Sequence, residues 1–395
     1  MKNLIKRIGQ SCLIANVVLG FITLSLFAQP PDGGPRKIVV FQEEFVNEAA
    51  KITLLRNFGA VIIKPLGLIN GMAVYLPPQA ERILLGRPEV LRVDDDLVIS
   101  AIGKPVEAPG KSKPSQPSQE LPWGINRIGA DLAWSRTTGL GIKVGVLDTG
   151  IDLDHPDLMS NIKGNVNCIN PRKSGDDDNG HGTHVAGIIA AVNNQIGVVG
   201  VGPEIYLYAV KVLDRNGSGW LSDLIEGLDW CINNKMHIVN MSLGSSSDNQ
   251  SFHDAITKAY RAGLVQVAAA GNNGLRDGSI DYPAKYPETI AVSAVGQYSD
   301  GSLYPAYFSS YGPKIDLTAP GVSIKSTYND GYYKTLDGTS MAAPHVGGVA
   351  ALTLAVRGPM TPDDLKTHLK NTAENLGLDT YEQGAGLIRA DLATQ

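Results

Sequence analysis

Four stretches in the C-terminal two-thirds of the chain are almost unbroken apolar runs. IKVGVLDTG (142–150), IYLYAVKVL (205–213), HIVNMSLG (237–244) and LVQVAAAGN (264–272) each run into Gly, Asn or Asp. Runs without alternation suit parallel strands buried on both faces. Between them HVAGIIAAV, LSDLIEGLDWCINN and SFHDAITKAYRAG have helical periodicity. The pattern predicts an α/β domain over 119–395 with a doubly wound, mostly parallel sheet. In such sheets ligands bind beyond the carboxyl ends of the strands.

Upstream the period changes. KIVVFQ, AVIIKPL, GMAVYLP and VLRVDDDLVIS read as strands, and EFVNEAAKITLLRNFG and PPQAERILLGRP as helices. The order β-α-β-β-α-β predicts a small ferredoxin-like α+β domain over 35–102. GKPVEAPGKSKPSQPSQ follows, rich in Pro, Ser, Lys and Gly, so 103–118 reads as an extended linker open to proteolysis. At the N-terminus Lys2, Lys6 and Arg7 precede an uncharged stretch from Cys12 to Phe27 and then Ala28. A positive end, a short apolar run and a small residue predict a secretory signal at 1–28, and hence an exported protein with no membrane attachment once it is removed.

Composition narrows the function. A net charge of −5 provides no basic footprint, which argues against a nucleic-acid partner. Two cysteines, Cys168 and Cys231, remain after the signal, too few for a disulfide scaffold. One bridge or two separate buried thiols both fit the sequence.

Three polar residues fall where a site is expected. Asp148 closes the strand VGVLD, His181 starts the helix HGTHVAGIIAA, and Ser340 precedes a long apolar helix. Taken singly, each reads equally well as a turn residue or helix cap. His181 and His184 also lie three apart, a spacing open to a metal pair. That reading lacks a third ligand and an HExxH-type pattern.

Together the motifs are more specific. VLDTGID (146–152), HGTHVAG (181–187), NMSLG (240–244), AAAGNNG (268–274) and GTSMAAPHVGG (338–348) resemble those of the subtilisin-like serine peptidases, in the same order across nearly all of 119–395. The resemblance implies a serine endopeptidase with Asp148, His181 and Ser340 as its triad, in the Asp…His…Ser order of that family. Ser340 would attack a peptide carbonyl, His181 would take and return the proton, and Asp148 would hold the imidazole tautomer. Asn272 would donate to the developing oxyanion, while His184 and His345 become packing residues.

The resemblance also implies how substrate binds. Gly217, Ser218 and Gly219 would flank an extended peptide on one side, and Ser242, Leu243 and Gly244 on the other. Leu221 and Leu224 would line a pocket further up the peptide. Ala270, Gly271 and Asp281 would line the pocket for the residue before the cut bond. Asp281 departs from the family, whose members place a small residue there; a carboxylate at that point raises the hypothesis of a preference for Lys or Arg, tested by profiling peptide substrates. A structural Ca2+ would be held by Gln119, Asp157, the carbonyls of Val192, Ile196 and Val198, and the side chain of Asn194. A weaker second cation site falls at Ala284, Tyr286 and Thr289, whereas Asp176-Asp177-Asp178 reads as a solvated acidic loop. The 35–102 domain resembles the family's propeptides, which act as folding chaperone and intramolecular inhibitor. Self-processing would then cut within about 100–118, leaving a secreted monomer that acts on protein and peptide substrates.

Overall fold

The computed structural model describes residues 34–102, 116–274 and 278–395. The expected signal segment 1–28 and residues 103–115 of the expected linker lie outside the described residues. The N-terminal domain is a four-stranded antiparallel sheet, ordered Val61–Leu66, Gly71–Tyr75, Arg36–Phe41, Val90–Asp95 across its width. Alternation along these strands decides what they bury. Val39, Phe41, Met72 and Val74 pack with Leu55 and Leu84 from the helices Glu48–Asn57 and Pro78–Leu84. Ile38, Val40 and Ala73 instead join the core of the larger domain, with Leu224, Leu228 and Ile256. The small domain is therefore mounted on the large one by a second apolar face.

VLRVDDDLVIS does not form the single strand its pattern suggests. It divides into Val90–Asp95 and Val98–Ala101, which belong to different sheets. The break is chemical. Asp96 is buried, and its carboxylate accepts from Arg36 Nε at 2.8 Å and from Ser222 N and Oγ at 2.9 Å each. Those bonds fix it to the start of the helix Leu221–Asn233, where first-turn amides are otherwise unsatisfied. The following strand is thereby turned out of its own domain.

The large domain carries the expected doubly wound sheet, α/β in class. Its strands run Leu303–Pro305, Ile290–Gln297, Val265–Ala269, Ile238–Met241, Lys143–Asp148, Tyr206–Lys211, Ile162–Asn167, with Leu317–Pro320 also pairing with Ile290–Gln297. Every pairing is parallel except that of the Leu303–Pro305 edge. Lys143–Asp148 lies between strands that follow it on either side, so the order reverses at its carboxyl end. A ligand crevice belongs there.

The helix Thr339–Arg357 is long and apolar enough to cross a membrane, yet 89% of its most apolar window is buried in the protein. It is the central core helix. Pro344 sits inside it and lacks the amide that would bond the Ser340 carbonyl one turn back. Ser242 Oγ donates to that carbonyl instead, at 2.9 Å. A helical defect thus ties the expected nucleophile to the expected substrate strand. Cys168 and Cys231 are both buried free thiols, which settles the open choice between one bridge and two.

Candidate active site

Asp148 ends its strand fully buried, and its Oδ1 lies 2.7 Å from His181 Nδ1. The approach requires glycine at the second helical position. A Cβ on Gly182 would lie 2.1 Å from the Gly150 carbonyl oxygen and 3.1 Å from Asp148 Cβ. Burial of the His181 ring lowers its pKa, but the adjacent Asp148 carboxylate outweighs this by charge and hydrogen bond, leaving it raised. His181 Nε2 is buried and has no hydrogen-bond partner among the described residues. That nitrogen is available as a proton acceptor.

In the run Asp176-Asp177-Asp178 the outer two residues are exposed, as the composition suggests, but the middle one is not. Asp177 is buried and accepts from Thr149 Oγ1, Asn179 N and Gly180 N at 2.9 Å each. It also accepts from Thr183 N at 3.0 Å and Thr183 Oγ1 at 2.6 Å. Five donors on one carboxylate anchor the His181 helix start to the residue after Asp148. Asp178 pairs with Lys211 at 2.6 Å, and Asp176 accepts from Leu153 N.

Ser340 is buried at the start of the core helix, and its hydroxyl meets two backbone carbonyls from distant parts of the chain. Its Oγ donates to the carbonyl oxygen of Ile102 and lies 3.1 Å from that of Ser242. Asn272 Nδ2 reaches the same Ile102 oxygen at 3.3 Å. The Asn272 amide is held by Thr339, whose N and Oγ1 each donate to its Oδ1 at 3.0 Å. Thr339 holds the Asn272 amide and Asp177 the start of the His181 helix, and sequence reasoning missed both. Only their places beside Ser340 and His181 could have pointed to them.

Ile102 follows Val98–Ala101, the strand turned out of the small domain. That strand lies between the two expected substrate edges. It pairs antiparallel with Ser218–Trp220, through Ile99 opposite Gly219 and Ser100 opposite Ser218. On the other side Ala101 faces Leu243 and Ser100 faces Gly244. Ala101 N donates to Gly217 O at 2.8 Å, Ile102 N to Ser242 O at 3.1 Å, and Leu221 N to Leu97 O at 2.8 Å. Ile99 is fully buried in the same apolar cluster as Leu221 and Leu224. Ala270 is buried behind the cleft, where its carbonyl accepts from Asp281 N at 2.9 Å. Gly271 (φ 115°) packs so closely on Asp281 that a Cβ would lie 2.6 Å from Asp281 Oδ2.

A second cluster is built from oxygens. Gln119 Oε1 accepts from Asn194 N at 2.7 Å, and Asp157 Oδ1 accepts from Asn194 Nδ2 at 2.8 Å. Asn194 Oδ1 accepts from Ile196 N, Asp157 Oδ2 from Val198 N, and the Asp157 carbonyl from Val192 N. The six residues of the expected ligand set therefore meet in one loop cluster, Val192, Ile196 and Val198 through their amides. Burial raises the Asp157 carboxyl to a pKa of about 6. Among the described residues no three His, Cys, Asp or Glu side chains gather as a metal centre.

The expected second cation position is already served by the chain. Thr289 O accepts from Lys366 Nζ at 2.9 Å and Lys314 Nζ at 3.3 Å, and both lysines pair with Asp316. Ala284 O and Tyr286 O turn toward the Thr289 hydroxyl. His184 Nε2 meets the carbonyls of Ile324 and Lys334 at 3.1 Å each, and burial lowers its pKa to about 3. A neutral ring donating to backbone is packing. His345, held on Met341 O, is the same.

Residues 139–386 match the model of the subtilase family. The chain belongs to the subtilase family. It is similar to M-protease of Shouchella clausii, 42% identical over 91% of this chain and 85% of that protein. Subtilisin Savinase of Lederbergia lenta is 48% identical over 70% of this chain and all of its own length. Subtilisin J of Geobacillus stearothermophilus is 39% identical over 99% of both chains. This subtilase is a serine endopeptidase, acting on protein substrates.

Proposed function

We propose that this subtilase cleaves peptide bonds with Asp148, His181 and Ser340, and that it first cuts itself after Ile102. The observation that carries the reading is the Ile102 carbonyl, shared by the Ser340 hydroxyl and the Asn272 amide. An acyl-transfer site needs a nucleophile and an oxyanion donor meeting on one carbonyl oxygen's group.

In this mechanism the Ser340 oxygen attacks the carbonyl carbon while its proton passes to His181 Nε2. Asp148 keeps the Nδ1–H tautomer and stabilises the imidazolium. Charge growing on the carbonyl oxygen is met by Asn272. His181 returns the proton to the departing amine, giving an acyl-enzyme, and water admitted to the vacated space repeats the sequence. Strand pairing with Gly217–Gly219 and Ser242–Gly244 holds the peptide in register by main-chain bonds, so the cleft accepts many sequences.

Residues 35–102 act as propeptide, chaperone and inhibitor. Support comes from the strand lying in the cleft, the shared apolar core, and a relative such as Subtilisin J matching over almost the full chain. Residues 1–28 direct export, and the released enzyme is an extracellular monomer. The oxygen cluster at Asp157 fits Ca2+, a hard cation favouring mixed carboxylate, amide and carbonyl oxygens. Gln119, Asp157, Asn194 and the carbonyls of Val192, Ile196 and Val198 would hold it. Bound there, the ion would neutralise the buried Asp157 and fasten the loop that follows the His181 helix.

A serine-directed fluorophosphonate tests the chemistry. It should label Ser340 alone and abolish peptide hydrolysis; labelling elsewhere, or activity surviving complete labelling, would overturn the reading.

A further inference from the structure

The pocket that receives the Ile102 side chain holds a carboxylate with one oxygen uncommitted. A cavity of about 800 Å³ runs past Ile102, with Gly244, Asn273 and Asp281 on its wall. A Cβ added to Gly244 would lie 3.1 Å from Ile102 Cδ1 and 3.1 Å from Asp281 Cβ. Both side chains thus close on the bare face of Gly244.

Asn273 Nδ2 donates to Asp281 Oδ1 at 2.9 Å and to Ser279 O at 2.9 Å, fixing the carboxylate in place. No hydrogen bond to Oδ2 is made, and no ion pair to Asp281 is formed, among the described residues. Lys285 acts on it only through space and lies over the Tyr282 ring, 5.4 Å from its centroid. Burial raises the Asp281 pKa. A half-buried carboxylate without a cationic partner is costly, and a cation delivered by the substrate relieves that cost.

We infer that Asp281 selects Lys or Arg at the residue before the cut bond, with its free Oδ2 as the receiving atom. The inference rests on the catalytic reading above and deepens it to a substrate class. Lys extends two atoms beyond its Cδ and Arg three, a reach that Ile102 lacks in the cavity it lines together with Asp281. The bound Oδ1 restricts the match: a single free oxygen suits the compact ammonium of Lys, while the two-pronged Arg fork asks for both oxygens.

Ile102 itself is then a weak occupant of its own pocket. Tethering makes this sufficient, because an intramolecular segment sees the site at an effective concentration around millimolar. Once the bond is cut, an apolar side chain beside a carboxylate anchors the product poorly. The first cut succeeds by connection; later cuts depend on recognition.

The test uses enzyme matured from the full chain and peptides Ile-Ser-Ala-X carrying a chromogenic amide, where X is Lys, Arg, Leu, Phe or Ile. The expected result is kcat/KM for Lys and Arg at least tenfold above the apolar three, expressed mainly in KM. Asp281→Asn should lower the basic-to-apolar ratio on the order of a hundredfold, the scale of losing one partner of a desolvated charge pair. Asn273→Ala frees Oδ1 and should raise the Arg-to-Lys ratio. An enzyme that cuts the Leu and Phe peptides best, or a ratio unmoved by Asp281→Asn, overturns this inference and leaves the catalytic reading standing. Cleavage of none of the five overturns both.

Discussion

Asn272 Nδ2 lies 3.3 Å from the carbonyl oxygen of Ile102, on the oxygen that also accepts from Ser340. The donor is aimed by Thr339, not by Asn272's own loop. Replacing Asn272 by the nearly isosteric Leu removes the donor without removing volume. Turnover should fall about 10²–10³-fold with KM little changed, the scale measured for such a donor in a subtilisin. Steady-state kinetics on a peptide amide checks it. Thr339→Val should give a smaller loss in the same parameter, because it loosens the donor without deleting it.

Asp148→Asn should be more severe. The carboxylate keeps the His181 ring in the productive tautomer and holds its pKa up against burial. Activity at neutral pH should drop by about 10⁴-fold. The sign of the accompanying pH effect is fixed: catalysis needs neutral His181, so losing the group that raises its pKa moves the acid limb of kcat/KM to lower pH. A pH–rate profile of both proteins measures the displacement.

Asp177 predicts a stability effect. Its carboxylate satisfies three backbone amides, two of them buried, and two threonine hydroxyls. Asp177→Ala leaves those donors without partners and should cost about 2–4 kcal/mol. Thermal unfolding of the Ser340→Ala precursor, with and without the change, gives the figure free of self-digestion.

Glu374 governs acid tolerance. It accepts a two-pronged contact from Arg127, at 2.7 and 2.9 Å, and one from Arg389 at 2.5 Å. Hydrogen bonding by Arg127 first, then Arg389, overcomes burial and holds its pKa at about 2. A depressed folded value means the contribution is complete above the unfolded value near 4.5 and is lost as pH falls toward 2. Glu374→Gln should therefore flatten the stability curve across that window. Denaturant midpoints between pH 5 and 2.5 read this directly.

Calcium removal should act on stability and spare the chemical step. A bound ion at one hundred times its dissociation constant contributes about 2.7 kcal/mol. At about 2–4 °C per kcal/mol for a domain of this size, chelation should lower Tm by about 5–10 °C. Asp157→Asn should remove most of that chelator response, while initial rates on short peptides at low temperature persist.

Much of this was legible in the sequence because buried parallel strands advertise themselves. The runs ending at Asp148, Met241 and Ala269 are apolar on both faces, and their polar ends mark the crevice. A strand with a weaker pattern, Ile162–Asn167 (IKGNVN), was missed. Ser218–Trp220 was expected, at 217–219, only through the family resemblance: it is held by pairing with Val98–Ala101 across more than one hundred residues, a partner no local pattern displays. VLRVDDDLVIS misled for the same reason: its break at Asp96 is set by Ser222 and Arg36. The acidic run at 176–178 reads as solvent-exposed by composition, yet Asp177 is buried because distant donors satisfy it. Motif spacing pointed to Asp148, His181, Ser340 and Asn272; the contacts that hold them, Asp148 with His181 and Ser340 with Asn272 on Ile102, are tertiary.

Cleavage of the bond after Ile102 by Ser340 is decided by intact-mass analysis and N-terminal sequencing of the purified wild type beside Ser340→Ala. The expected result is a wild-type fragment ending at Ile102, a mature chain beginning at Gly103 or trimmed further within 103–118, and an uncut Ser340→Ala chain whose 35–102 domain stays attached. Cleavage of the Ser340→Ala protein at the same bond, or a wild type that remains whole, would contradict it.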